Sequence, residues 1–154
     1  MQLTPHFTLE ELLQSETATR NNYLEQFNPP QSVIDNLKLL CDNVLEPLRA
    51  KISAARGVDT PVIITSAYRC ARVNDSVPGS ANHSQHEDGC AADTHIEGMS
   101  IEAWYQFIKA SGIPFGQLIQ EHNFWAHISH DLGSQRNQTL KATGTIAQPI
   151  YSSY

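Results

Sequence analysis

Between Ser84 and Asp93 the chain reads SQHEDGCAAD, which gathers His86, Glu87, Asp88, Cys90 and Asp93 into ten residues. Imidazole nitrogen and carboxylate oxygen are ready zinc ligands, and a catalytic zinc site characteristically takes three protein ligands and leaves a position open. Gly89 lies between His86 and Asp93. Its backbone freedom lets the chain turn so that both side chains reach one point. The third ligand must come from another segment, and EHNFWAHISH, from Glu121 to His130, is the other histidine-rich stretch. On spacing alone His83 can replace His86. Glu87 and Asp88 read as loop carboxylates facing water, and His6, His95 and His122 as solvated histidines.

Strand alternation narrows the choice within the second stretch. If Phe124 to His130 is extended, Trp125, His127 and Ser129 share one face, and Phe124, Ala126, Ile128 and His130 share the other. Phe124 and Ile128 assign the latter face to the core, leaving His127 beside Trp125 on the more open one. Glu121 joins His127 if the intervening turn has three residues, and lies opposite if it has two.

The elements that must position these groups follow from local signals. Thr8 and Glu11 form a capping box for a short helix. NPPQ, from Asn28 to Gln31, reads as a turn, with Ser32 as the N-cap of a helix whose apolar residues recur from Val33 to about Ala55. Pro47 should kink or divide that helix, and Gly57 should end it. Val62 to Thr65 and Ala91 to Ile96 read as strands, with a loop over Cys70 to Gln85 between them. Ser100 caps a helix carrying Ile101, Trp104, Tyr105 and Ile108. Two more strands are expected over Gln117 to Glu121 and Phe124 to His130. The sequence predicts one α+β domain over residues 1–132, with N-terminal helices packed on a small, mostly antiparallel sheet. A polar, poorly ordered tail is expected over 133–154.

Composition excludes several function classes. The 154 residues carry a formal net charge of -6, which gives no general attraction to nucleic acid. The three cysteines include no C-x-x-C pair, so neither a disulfide framework nor a cysteine-rich zinc knuckle is expected. Cys41 and Cys90 read as inward-packing thiols. There is no secretory signal pattern and no apolar run approaching the ~20 residues of a membrane span. The expectation is a monomer made in the cytoplasm, reaching any external target by lysis or another delivery route.

Ser84, His86, Gly89, Ala91 and Asp93 match S-x-H-x-x-G-x-A-x-D, and Trp125 with His127 match a later W-x-H. Together these motifs resemble the zinc D-Ala-D-Ala carboxypeptidases and L-alanyl-D-glutamate endopeptidases, whose metal core is shared with the hedgehog signalling domain. The resemblance runs from about Phe7 to Leu132, because SAYR (Ser66 to Arg69) and Q-L-I-x-E (Gln117 to Glu121) look like the small single-domain branch. It implies Zn2+ held by His86, Asp93 and His127, and a peptide of the peptidoglycan stem as substrate. It implies that Arg69 steadies a substrate carbonyl or carboxylate, the alternative being a structural ion pair. Ser84, Tyr68, Asn74 and Trp125 are expected around the substrate. The sequence departs from the family at Phe124, where E-x-x-H members carry their catalytic acid, so the general base falls to Glu121. Carboxypeptidase and endopeptidase activity both remain open. The rivals are a zinc-containing module that binds cell wall or protein without cleaving, and a phage structural protein with a vestigial site.

Overall fold

Thr8 and Ser15 open the first two helices, α1 (Leu9–Leu12) and α2 (Glu16–Asn21), each accepting a backbone N–H from three residues on. The computed structural model describes residues 1–154. A 3₁₀ turn over Leu24–Phe27 follows, and then a long helical rod made of α3 (Gln31–Leu40), a π turn (Cys41–Leu45) and α4 (Glu46–Arg56). The rod starts one residue before the expected cap: Pro30 occupies the N-cap, and Ser32 lies inside the first turn. Pro47 does not break it. The widened π turn, in which the Glu46 N–H reaches the Cys41 carbonyl, immediately precedes the proline and makes room for a residue that cannot donate. Gly57, at φ 68°, closes the rod.

The sheet is six-stranded, in the order β1 (Ile63–Ser66), β2 (Ala91–His95), β4 (Trp125–Ser129), β3 (Gln117–Glu121), β5 (Gln138–Thr145) and β6 (Gln148–Ser153). Every pairing is antiparallel except that of β3 with β5. The architecture is α+β. Two further elements lie outside the sheet: α5 (Ala71–Ser76) and α6 (Ile101–Ala110), the latter capped by Ser100. No helix is long and apolar enough to cross a membrane.

One face of the sheet builds the core. Ala92, Leu118, Ala126 and Ile128 point inward beside Trp104 and Ile108 of α6, all of them fully buried. The polar Thr94 on this face is satisfied: its hydroxyl donates to the Ala126 carbonyl and accepts from the Trp104 indole N–H. The opposite face carries Asp93, Ile119, Glu121, Trp125 and His127. Phe124, expected with the core, is 59% exposed and stacks on Trp125. It belongs to the turn before β4 rather than to the strand, so alternation does not govern it.

Two segments depart from the sequence reading. The Cys70 to Gln85 loop contains α5. The polar tail is not loose: β5 pairs with β3 from Gln138 to Ala142 and β6 pairs with β5, extending the sheet. Tyr154 anchors its end, its ring packed at a tilt against Tyr105 and its hydroxyl donating to Glu102.

Gly89 has φ 70°, and a Cβ there would sit 2.7 Å from the Val33 carbonyl oxygen. The turn between His86 and Asp93 therefore packs directly on α3. Replacing Gly89 by Ala should destabilise the fold by about 1–3 kcal/mol, measured by chemical denaturation. An unchanged midpoint would mean that the turn does not depend on this close approach.

Candidate metal centre

Asp93 on β2 and His127 on β4 are cross-strand partners, so their side chains leave the same face side by side. His86 comes to them from the turn ahead of β2. All three are buried. His86 Nε2 lies 3.1 Å from His127 Nδ1 and 3.3 Å from Asp93 Oδ1, and His127 Nδ1 lies 3.2 Å from the same oxygen. Ligands ~2.0–2.1 Å from a tetrahedral zinc ion stand ~3.3–3.4 Å apart, so the triangle has the dimensions of one face of such a site.

The surrounding hydrogen bonds fix what each atom presents. The Nδ1–H of His86 donates to the Ala67 carbonyl at 2.6 Å, which leaves a lone pair on Nε2. Gln85 turns its amide nitrogen to Asp131 Oδ1, which can only accept, and its Oε1 to His127 Nε2 at 3.3 Å. His127 therefore donates from Nε2 and keeps its Nδ1 lone pair. Three lone pairs face one another in a buried triangle, and no single proton satisfies all three edges. A cation does. The group His86, Asp93 and His127 can hold a metal ion.

Electrostatics agree with the geometry. Burial lowers the His86 pKa against the pull of Asp93, so the ring stays neutral and able to ligate. Burial would raise the Asp93 carboxyl, yet the group is held well below the usual carboxylate range, with the Arg69 guanidinium as its permanently charged partner. Arg69 donates from Nη2 to Asp93 Oδ2 at 2.5 Å and from Nε to the Ser66 hydroxyl at 2.9 Å.

The triangle lies at the bottom of a cleft of about 420 Å³. Arg69, Ser84, Glu121 and Trp125 line it, together with the segment 77–81 and the hairpin of β5 and β6. Glu121 pairs with Trp125 across a three-residue turn, His122 to Phe124, whose first two residues adopt positive φ. The glutamate therefore shares the face of His127. Burial pushes its carboxyl up, with His127 opposing.

Other expected positions fall differently. His83 is exposed and pairs with Asp88, so the spacing alternative to His86 is not used. Tyr68 and Asn74 do not line the cleft. Tyr68 packs into the hydrophobic core, and Asn74, 1% exposed, spends its amide on the Ala81 carbonyl to close the loop after α5. Ser84 shapes the turn, accepting from the His86 N–H and donating its own N–H to Glu87. Glu87 thus caps this turn rather than only facing water. Cys90 is buried and its thiol is pushed up to about 11, chiefly by burial.

The sequence model of the family described as Peptidase M15 matches residues 5–129, which span the helical rod and the whole triangle. The chain belongs to the peptidase M15 family. No curated protein matches it. Two residues around the triangle and its cleft were not singled out in the sequence. Gln85 carried no signal beyond its place between Ser84 and His86, because an amide is not itself a ligand. Tyr151 lay in the polar tail, and only the sheet pairing brings it to the cleft.

Gln85→Leu should leave the fold intact and weaken metal affinity about 10–100-fold by freeing His127 to rotate and change tautomer. Competition with a chelator of known affinity measures this directly. Unchanged affinity would show that Gln85 does not hold the ring.

Proposed function

We propose that this chain is a zinc-dependent peptidase that hydrolyses a bond in the stem peptide of peptidoglycan, as a D-Ala-D-Ala carboxypeptidase or an endolysin-type endopeptidase. The observation that carries the reading is the buried triangle of lone pairs from His86, Asp93 and His127, opening into a cleft with a carboxylate on its wall, in a peptidase M15 chain. When bound, zinc would supply Lewis-acid polarisation of a carbonyl and acidify water.

The residues of the chain divide the remaining work. Glu121 takes a proton from the attacking water and returns it to the leaving amine, the ordinary task of a general base that becomes a general acid. Its partly buried position favours proton transfer, because burial brings the carboxyl pKa nearer to neutrality. Arg69 keeps Asp93 ionised and oriented. With Nε on Ser66 and an Nη2 proton on Asp93, its remaining N–H donors are available to a substrate carbonyl or carboxylate. Trp125 and Ser84 border the path of the peptide. A monomer delivered to the wall by lysis or another route completes the proposal.

Glu121 on the cleft wall favours hydrolysis over binding alone, even though Phe124 fills the E-x-x-H position. Defined muropeptides, some ending in D-Ala-D-Ala and others with an internal L-Ala-D-Glu bond, test the proposal and separate the two peptidase types. Glu121→Gln should keep its zinc and lose about 10²–10⁴-fold in kcat. Binding without cleavage, equal in the wild type and the variant, would instead establish a binding module.

The same role fixes a pH dependence. A base works only when ionised, so kcat/KM should fall on the acid side as Glu121 takes up its proton, above the range of an exposed carboxylate. Zinc content followed in parallel distinguishes this from metal release. A flat profile down to ordinary carboxylate pH, with zinc retained, would remove Glu121 from the role.

A further inference from the structure

Glu121 is paired with Ala142 of β5, and Ala142 with Tyr151 of β6. The three residues form a row across neighbouring strands and point to one face of the sheet. Strands lie ~4.8 Å apart, so the backbones of Glu121 and Tyr151 are separated by roughly twice that distance. The intervening Ala142, 3% exposed, presents only a methyl group, over which the two longer side chains meet. The Tyr151 hydroxyl donates to Glu121 Oε1 at 3.3 Å, and this is the only hydrogen bond the carboxylate receives from the protein. Both residues line the cleft. Tyr151 belongs to a hairpin that lies wholly beyond residues 5–129, the part of the chain matched by the family.

We propose that Tyr151 is a positioning residue of the peptidase, its hydroxyl holding the Glu121 carboxylate in the cleft, so that the β5–β6 hairpin is part of the active site. The proposal rests on the reading of Glu121 as general base. A hydrogen bond to Oε1 fixes the plane of the carboxylate and leaves Oε2 free to take a proton. The phenol itself is neither consumed nor deprotonated. Burial and the neighbouring carboxylate push the hydroxyl up to about 12, so it remains a donor through the neutral range.

The test is Tyr151→Phe in the full chain, which removes one oxygen and keeps the ring. On a peptide that the wild type cleaves, kcat should fall about tenfold with KM nearly unchanged, the loss expected for one hydrogen bond to a charged group. Zinc content and melting temperature should match the wild type. An unchanged kcat would overturn the proposal, and so would a loss of activity that tracks lost zinc or lowered stability, since the role would then be structural. A second readout does not use turnover. In protein labelled with ¹³C at tyrosine Cζ, the Tyr151 resonance, identified by its absence from Tyr151→Phe, should move in Glu121→Gln. An unmoved resonance would show that the two groups do not meet. A wild type that cleaves no stem peptide would refute the peptidase reading, while the resonance would still decide whether Tyr151 holds Glu121.

Discussion

Electron-rich atoms brought together away from water repel, and this fold places three of them within 3.3 Å of one another. A buried carboxylate without partners carries a desolvation penalty of several kcal/mol, and two neutral imidazoles aiming lone pairs at it add to the problem. Each group is therefore held from behind. The Ala67 carbonyl fixes His86, Arg69 fixes Asp93, and Gln85 fixes His127. These supports orient the donors without cancelling their repulsion, which is the condition under which a cation adds most.

Much of the remaining architecture serves to keep those supports in place. Gln26, fully buried, donates to the Leu13 and Tyr68 carbonyls and accepts from the Cys70 N–H, tying the N-terminal helices to the segment that carries Ala67 and Arg69. The turn that delivers His86 rests on α3 through Gly89, and Asn36 of the same helix donates to the Asp88 carbonyl. Asp93 and His127 need no such arrangement, because strand register alone makes them neighbours. The site thus has a rigid half built on the sheet and a half held by packing against the helices.

The sequence was most legible where chemistry and local geometry coincide. His86, Asp93 and His127 stand out by type, and the alternation that places His127 beside Trp125 depends only on the strand period of two. The face of Glu121 depended on turn length, and His122 and Asn123 in positive φ made that turn three residues long. Phe124 misled because turn residues escape the alternation. Tyr68 misled because nearness in sequence to Arg69 says nothing about which way a loop side chain turns, and Asn74 because the segment read as a loop is the helix α5, which buries it. The C-terminal hairpin was illegible for another reason. Its Thr- and Gln-rich strands carry little apolar pattern and hold their place largely through backbone pairing with β3 and the anchoring of Tyr154. The residue of that hairpin nearest the chemistry, Tyr151, was hidden with it.

The claim on which everything else rests is that the triangle holds a metal ion. Metal content by mass spectrometry, on protein purified without added metal and on His127→Ala, tests it most directly. The account predicts about one zinc ion per chain in the wild type and its loss in the variant. A wild type that takes up no metal even after reconstitution, or a variant that keeps it, would contradict the account.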